Sequence, residues 1–291
     1  MDKIIFYILD VFAEEKYAGN QLAVFRHAGD LSTDQMQKLA REMNYSETTF
    51  ITAESPRAGG YDVRIFTPQT ELPFAGHPTL GTAWLIQQEI IAQQVSEVKL
   101  NLKVGSIPVT FNYTDGSPDI LWMRQVEPAF TDVYPPEQMA RVLGLNIDDF
   151  DTRFDIRQVS TGIPFTIVPV KTLDAVKRAK VKEDLFPDIK KAFLVFSRQT
   201  YHPQNDLHAR VFAVGYGVSE DPATGSANGC LAAWLVQQKF FNSNQIDITV
   251  EQGCEINRPS KLYLKATEAN GKIEVHVGGK VIPTAQGELI T

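Results

Sequence analysis

The stretch GVSEDPATGSANGCLAAWLVQQ, residues 217–238, decides the fold. It joins a polar segment, broken by glycine and proline, to an apolar segment of helical length. Between Ala227 and Val236 nearly every residue is apolar or small, and a helix that is apolar on all sides must be enclosed by other elements. Asp221, Gly225 and Ser226 lie at the junction. The stretch therefore predicts a buried helix with polar groups at its amino end.

A second segment, VRIFTPQTELPFAGHPTLGTAWLIQQ (63–88), resembles residues 209–238. Each has an R-[IV]-F strand pattern, a turn-rich loop and an apolar helix that ends in A-W-L-x-Q-Q. Trp84 and Trp234 lie 150 positions apart. GNQLAVF and GIPFTIVPV form a weaker second pair of similar segments, each near the start of its half. The repeated order indicates an internal duplication.

Strand patterns far outnumber helical ones in the rest of the chain. We therefore predict an α+β protein of two lobes, each a curved sheet around one central helix. Amphipathic outer helices add to it, among them STDQMQKLAREMN with a Ser32–Gln35 capping box. The turn-rich NYTDGSPD (112–119) marks the boundary. The predicted domains are residues 1–117 with a C-terminal strand at about 279–291, and residues 118–278, with an active-site cleft between them.

Composition narrows the class of partner. The 291 residues carry a net charge of −7 with both signs interspersed, which argues against nucleic acid and anionic membranes as partners. No apolar run approaches the roughly 18 residues of a membrane helix, and the amino-terminal apolar run is typical of a strand rather than a signal peptide. Cys230 and Cys254 are too few for a disulfide framework. We therefore expect a cytoplasmic protein.

The amino ends of the two central helices are candidate binding groups. Gly76 and Gly225 precede them, and the first N–H groups of a helix are unpaired and hold anions. We therefore expect a small-molecule ligand with a carboxylate or similar anion. The alternative is that both glycines only make turns and that Ser226 only caps a helix.

Two further residues have chemistry suited to proton transfer. His77 stands at a helix start before Pro78, where the helix dipole lowers the pKa of an imidazole. Glu47 lies between an outer helix that ends near Asn44 and a strand that starts at Thr48. An acid at such a joint is usually just exposed.

Several common kinds of binding and catalytic site are excluded because their sequence motifs are absent. No G-x-G-x-x-G follows a strand, no P-loop lysine motif occurs, and ATGSANG is not a G-x-S-x-G elbow. No spacing of histidines, cysteines and acids suggests zinc or iron. We expect no metal site, and we interpret Cys230 as a packing residue of its helix.

Four motifs in order along the chain carry a family resemblance: GNQLAVF, AREMNYSETTF, FTPQTELPFAGHPTLGTA and SEDPATGSANG. They resemble the PhzF family of phenazine biosynthesis-like isomerases, in the diaminopimelate epimerase-like superfamily. The resemblance implies two pseudosymmetric lobes, each a β-barrel-like sheet around a central α-helix. It also implies a cofactor-independent enzyme that forms a homodimer.

The resemblance further implies a trans-2,3-dihydro-3-hydroxyanthranilate isomerase-like proton transfer, with general acid/base chemistry by the glutamate of S-E-[ST]-x-F. The matching residues are Glu47, His77, Asp221 and Ser226 as catalytic groups, and Asn20, Gly76 and Gly225 as substrate-binding groups. Two alternatives stay open. One is an epimerase or racemase of an amino-acid derivative with Glu47 and Asp221 as opposed bases, and the other is a non-catalytic small-molecule binder. A two-thiol racemase is excluded because the cysteines lie elsewhere.

Overall fold

The computed structural model describes residues 4–182 and 192–290. The chain divides into two compact units, the first being Met1–Met123 with Gly278–Thr291 and the second Arg124–Val277. The turn-rich NYTDGSPD is a hairpin, because it contains the end of one strand, a turn and the start of the next. The predicted division into lobes at 117/118 and 278/279 remains a prediction.

The elements of the first unit alternate strands with two helices. Its strands are β1 (Ile5–Val11), β2 (Asn20–Phe25), β3 (Glu47–Ile51), β4 (Tyr61–Phe66), β5 (Glu71–Leu72), β6 (Glu97–Leu102), β7 (Gly105–Thr114), β8 (Ser117–Arg124, whose last residue falls in the second unit) and β18 (Val281–Glu288). Its helices are α1 (Thr33–Met43) and α2 (Gly76–Leu85), and α2 continues into a π-helical segment, Ile86–Ile91.

The second unit repeats this plan. Its strands are β9 (Ala129–Tyr134), β10 (Ile156–Ser160), β11 (Pro164–Pro169), β12 (Phe193–Ser197), β13 (Leu207–Ala213), β14 (Val218–Asp221), β15 (Gln245–Gln252), β16 (Ser260–Ala269) and β17 (Lys272–Gly279, whose last two residues fall in the first unit). Within its described residues, 124–182 and 192–277, the α-helices are α3 (Pro136–Leu143), α4 (Leu173–Arg178) and α5 (Gly225–Gln237).

Strand pairing confirms the duplication that the sequence indicates. In the first unit β1 pairs antiparallel with β2, β2 parallel with β3, β3 antiparallel with β4, β4 parallel with β6, and β6 antiparallel with β7. In the second unit β10, β11, β12, β13, β15 and β16 follow one another with the same alternation. The similar segments GNQLAVF and GIPFTIVPV contain β2 and β11, which hold equivalent places.

Each unit encloses one apolar helix, as predicted. Helix α2 packs on β1, β2, β3, β6 and β7, and α5 packs on β10, β11, β12, β15 and β16. From Ala227 to Val236 every residue of α5 is buried. Burial of such a helix removes apolar side chains from water on all sides, which is the dominant favourable term in folding. The helices that carry the predicted site residues are therefore the cores of their units.

The outer helices also follow the sequence pattern. The predicted capping box of α1 is present, since Gln35 N donates to Ser32 Oγ at 3.3 Å and Ser32 N donates to Gln35 Oε1 at 2.8 Å. Met36 and Ala40 are buried on the inner face of α1. No helix in residues 4–182 and 192–290 is long and apolar enough to span a membrane.

Candidate active site

Parallel pairing places two predicted site residues at one end of neighbouring strands in the first unit. Glu47 is the first residue of β3 and lies opposite Leu22 of β2. Asn20, the first residue of β2, is buried. The amino ends of parallel strands point the same way, so both residues belong to the same edge of the sheet.

Glu47 and His77 come together at this edge. Nε2 of His77 lies 3.5 Å from Oε2 of Glu47, and their side chains are 7% and 18% exposed. His77 is the second residue of α2. Its Nε2 is buried and, among the described residues, makes no hydrogen bond. A buried polar atom without a partner is costly, which makes His77 Nε2 a candidate for a hydrogen bond with a ligand.

Burial lowers the pKa of His77 to about 3, and a hydrogen bond to the Gln21 backbone opposes this shift only in part. The imidazole is therefore neutral at pH 7, and its contact with Glu47 is not an ion pair. The sequence predicts a lowered pKa for His77 because the residue stands at the positive end of the helix dipole. The direction is confirmed, but the main cause is the removal of the ring from water.

The lowered pKa of His77 predicts an acid-sensitive fold. A histidine binds a proton near pH 6.5 once unfolded, whereas folded His77 stays neutral down to about pH 3. Between these two pH values the unfolded state therefore binds one more proton than the folded state. As the pH is lowered through this window, the free energy of unfolding decreases by about 1.4 kcal/mol per pH unit. Urea unfolding from pH 7 to pH 4 should show a shallower pH dependence for His77→Gln than for the wild-type protein. Equal slopes would show that His77 is charged in the folded protein.

Three predicted site residues of the second unit surround the start of α5. Asp221 is the buried last residue of β14, and Gly225 and Ser226 are the first two residues of the helix. The hydroxyl of Thr224 donates to Asp221 Oδ2 at 2.5 Å. The acid and the helix start are therefore joined by one short loop.

Neither buried helix has a side-chain cap at its amino end. The residue before α2 is Ala75, and the residue before α5 is Thr224, whose side chain does not cap the helix. Ser226 lies inside the helix, so the alternative in which it serves as the cap is wrong. Gly76 and Gly225 are helical residues rather than turn residues. Both helix starts therefore keep N–H groups that suit an anion.

A matched pair of ion pairs holds the loop before each helix. Arg64 donates from Nε and Nη2 to the two oxygens of Glu71 at 2.8 Å each, and Arg210 donates to Glu220 in the same way at 2.8 and 2.7 Å. Each guanidinium also lies over the ring of a phenylalanine two residues further on, at 5.1 and 4.7 Å from the centroid. We call these contacts the two arginine forks.

The two arginine forks were not predicted from the sequence. Their signal is the motif E-x-P-x-x-G, which occurs as ELPFAG at residues 71–76 and as EDPATG at residues 220–225. In both units the glutamate of the fork stands five residues before the helix glycine. Bidentate arginine–carboxylate pairs have a defined geometry, so each fork fixes the path of the chain into its helix.

A second cluster was also missed. The fully buried His208 has Nδ1 at 3.2 Å from Glu251 and Nε2 at 3.0 Å from Glu255. Burial opposes its charge, but hydrogen bonds with Cys254, Glu251 and Glu255 raise its pKa to about 10. The part of the chain that the structure describes contains no group of three or more histidines, cysteines and acids arranged to hold a metal. The raised pKa of His208 and the lowered pKa values of Glu251 and Glu255 make the cluster a buried network of charges. Cys230, as predicted, is a packing residue, fully buried in α5.

Comparison with known proteins agrees with this architecture. The family model described as phenazine biosynthesis-like protein, PhzC-PhzF, matches residues 9–287. A trans-2,3-dihydro-3-hydroxyanthranilate isomerase of Pseudomonas aeruginosa is 35% identical over 286 residues, covering 97% of this chain and 98% of the relative. A PhzF-family phenazine biosynthesis protein of Bacillus anthracis is 27% identical, with a TM-score of 0.90 and complete coverage of both chains.

A more distant structure shows the wider fold. A probable proline racemase of Agrobacterium radiobacter K84 has a TM-score of 0.63 at 12% identity, covering 99% of this chain and 93% of that one. The fold and the relatives together define an isomerase with a diaminopimelate epimerase-like fold, as the sequence predicts. Within that class, the chain belongs to the PhzC-PhzF family of phenazine biosynthesis-like proteins.

Proposed function

We propose that this isomerase needs no cofactor and moves a proton within a small carboxylate substrate, in the manner of trans-2,3-dihydro-3-hydroxyanthranilate isomerase. The observation that carries the proposal is the contact of 3.5 Å between Glu47 and the buried, neutral His77 at the start of α2. The Pseudomonas aeruginosa relative supports the substrate class by its name.

Glu47 is the proposed general acid and base. A base must lie within hydrogen-bond reach of the proton that it removes. The Glu47 side chain is largely enclosed, with 18% of its surface exposed. After abstraction the same carboxyl returns the proton to another carbon on the same face of the substrate. One carboxyl therefore completes the isomerisation, and the proposal assigns no step to a metal or cofactor.

The other predicted residues bind and orient the substrate in this proposal. The uncapped N–H groups at Gly76 and Gly225, with the hydroxyl of Ser226, stabilise negative charge on the carboxylate and on the intermediate. Neutral His77 accepts or donates one hydrogen bond without adding charge. Asp221 orients an amino or hydroxyl group, and Asn20 lines the site.

Two expectations from the family resemblance also stand as proposals. The protein is expected to form a homodimer, which light scattering coupled to size-exclusion chromatography measures directly. It is expected to act in the cytoplasm, as the scarcity of cysteine favours.

Isotope exchange tests the proposed reaction. The protein is incubated in heavy water with trans-2,3-dihydro-3-hydroxyanthranilate, with other amino- and hydroxy-substituted carboxylates, and with an analogue that lacks the carboxylate. Deuterium is expected to enter a C–H position of a carboxylate substrate and not of the analogue. Inversion at the exchanging carbon would favour the epimerase alternative. Absence of exchange over the whole panel contradicts the proposal.

A further inference from the structure

We infer that Thr224 and Gln252 are positioning residues that orient the carboxylate of Asp221. The inference rests on the proposed function, because Asp221 is there a substrate-orienting group. The hydrogen-bonded set of Gln252, Thr224 and Asp221 is called the carboxylate relay below.

The role of Thr224 differs from that expected at its position. A threonine immediately before a helix usually accepts a hydrogen bond from an N–H group of the first turn. Thr224 instead donates its hydroxyl proton to Asp221 Oδ2 at 2.5 Å and leaves α5 without a side-chain cap. An O–H donated to a carboxylate is a strong, short hydrogen bond. The Thr224 side chain thus forms its hydrogen bond with the carboxylate of Asp221 rather than with the start of the helix.

Gln252 fixes the direction of that hydrogen bond. It is fully buried at the end of β15, and its Nε2 donates to the Asp221 carbonyl at 2.7 Å and to Thr224 Oγ1 at 3.2 Å. Its Oε1 accepts from Nδ2 of Asn228 at 2.9 Å. Because the amide donates to Thr224 Oγ1, the hydroxyl proton of Thr224 is directed at Asp221.

The amide orientation of Gln252 follows from its partners. A backbone carbonyl, that of Asp221, can only accept, so the group facing it must be Nε2. At the other end the Thr224 N–H group, which can only donate, lies 3.4 Å from Oε1. A glutamate in this place loses the donor toward both Asp221 and Thr224.

The duplicated loop of the first unit shows that the relay is not needed to build such a loop. ELPFAG and EDPATG are equivalent by their arginine forks, and this pairs Leu72 with Asp221 and Ala75 with Thr224. The first unit therefore forms the same fork, loop and buried helix with neither an acid nor a hydroxyl at these places. Of these two described loops, only the one that carries Asp221, the second acid of the proposed site, has the carboxylate relay. Its presence beside this acid favours a positioning role for Thr224 and Gln252 over a purely structural one.

Three variants test the inference in the full-length protein. Thr224→Val removes the hydroxyl at nearly constant shape, Thr224→Ser keeps it, and Gln252→Glu removes the amide donor. The matched controls are Thr267→Val and Gln245→Glu, which change exposed residues paired with each other on β16 and β15. Each variant is crystallised and assayed for turnover of trans-2,3-dihydro-3-hydroxyanthranilate.

We expect the Asp221 carboxylate to rotate away from its wild-type position in Thr224→Val and Gln252→Glu, and to stay in Thr224→Ser. We expect kcat to fall about tenfold or more in the first two variants, with KM changed less than about threefold, because misplacing an orienting group costs mainly in the reacting complex. The double variant Thr224→Val/Gln252→Glu should be no slower than the slower single variant, since both act through one carboxylate.

Two readouts separate the possible failures. An unmoved carboxylate in Thr224→Val, or a Thr224→Ser variant as slow as Thr224→Val, overturns the positioning role. The positioning role is also overturned if Thr224→Val and Gln252→Glu lower only the thermal stability, while the folded fraction of each variant keeps the wild-type kcat. If the wild-type protein does not turn over the substrate, the proposed function fails, while the crystal structures still decide whether Thr224 and Gln252 orient Asp221.

Discussion

Glu47→Gln is expected to lower turnover of trans-2,3-dihydro-3-hydroxyanthranilate by about a thousandfold, the middle of the range for loss of a general acid/base. The amide has the size of the carboxylate, and neutral His77 needs no charge partner beside it. The fold should therefore be retained. Steady-state kinetics by absorbance, with thermal unfolding of the same samples, measure both quantities.

Glu42→Gln is the matched control for this prediction. Glu42 is an exposed residue near the end of α1 in the same unit, so the variant makes the same chemical change away from the site. It should keep wild-type kinetics. A Glu47→Gln variant with more than about a tenth of wild-type kcat would contradict general base catalysis by this residue, since such catalysis contributes at least about a hundredfold.

Glu220→Gln is expected to lower the free energy of unfolding by about 3 kcal/mol, because loss of the bidentate partner leaves the buried Arg210 charge with only the more distant carboxylate of Glu255, at 3.9 Å. The Arg210 side chain is only 10% exposed. Its Nη1 also donates to the carbonyls of Val176, Lys177 and Ala179, so it cannot turn to water without breaking the end of α4. Urea unfolding at pH 7 measures the difference.

The other arginine fork supplies the comparison. Arg64 is 27% exposed in its pair with Glu71, so water compensates its charge and Glu71→Gln should cost about 1 kcal/mol or less. The donor atoms and distances of the two forks are nearly equal, so the expected difference comes mainly from the burial of the guanidinium. Glu71 also pairs with the exposed Lys103 at 2.7 Å, and that contact adds little because the Lys103 ion is near water. Similar losses for the two variants would contradict this account of the forks.

The central helices and the duplication were predictable because their signal is local. An apolar surface on all sides of 227–236 requires enclosure wherever the segment lies, and the R-[IV]-F and A-W-L-x-Q-Q patterns repeat in order. The α1 capping box needs only Ser32 and Gln35, which are neighbours in the chain. The family motifs then brought Glu47 and His77 into one hypothesis, and the structure places their side chains in contact.

The missed features depend on partners that are distant or weakly patterned. Strands β9, β10 and β14 are short or carry several polar residues, and α4 has six residues, so periodicity does not single them out. His208 acquires its raised pKa from residues 251–255, which lie more than forty positions away in the chain. Thr224 carries a typical cap residue type, and only the geometry shows that its hydroxyl faces Asp221.

The most direct test of the central claim, that one carboxyl at residue 47 removes and returns the proton, is the fate of a label at the reacting carbon. Substrate deuterated there is converted in ordinary water, and the product is analysed by NMR for the position and face of the label. We predict that part of the deuterium reappears in the product on the face from which it was removed, and that Glu47→Gln forms no such product. Label on the opposite face, or transfer that persists in Glu47→Gln, would contradict the account.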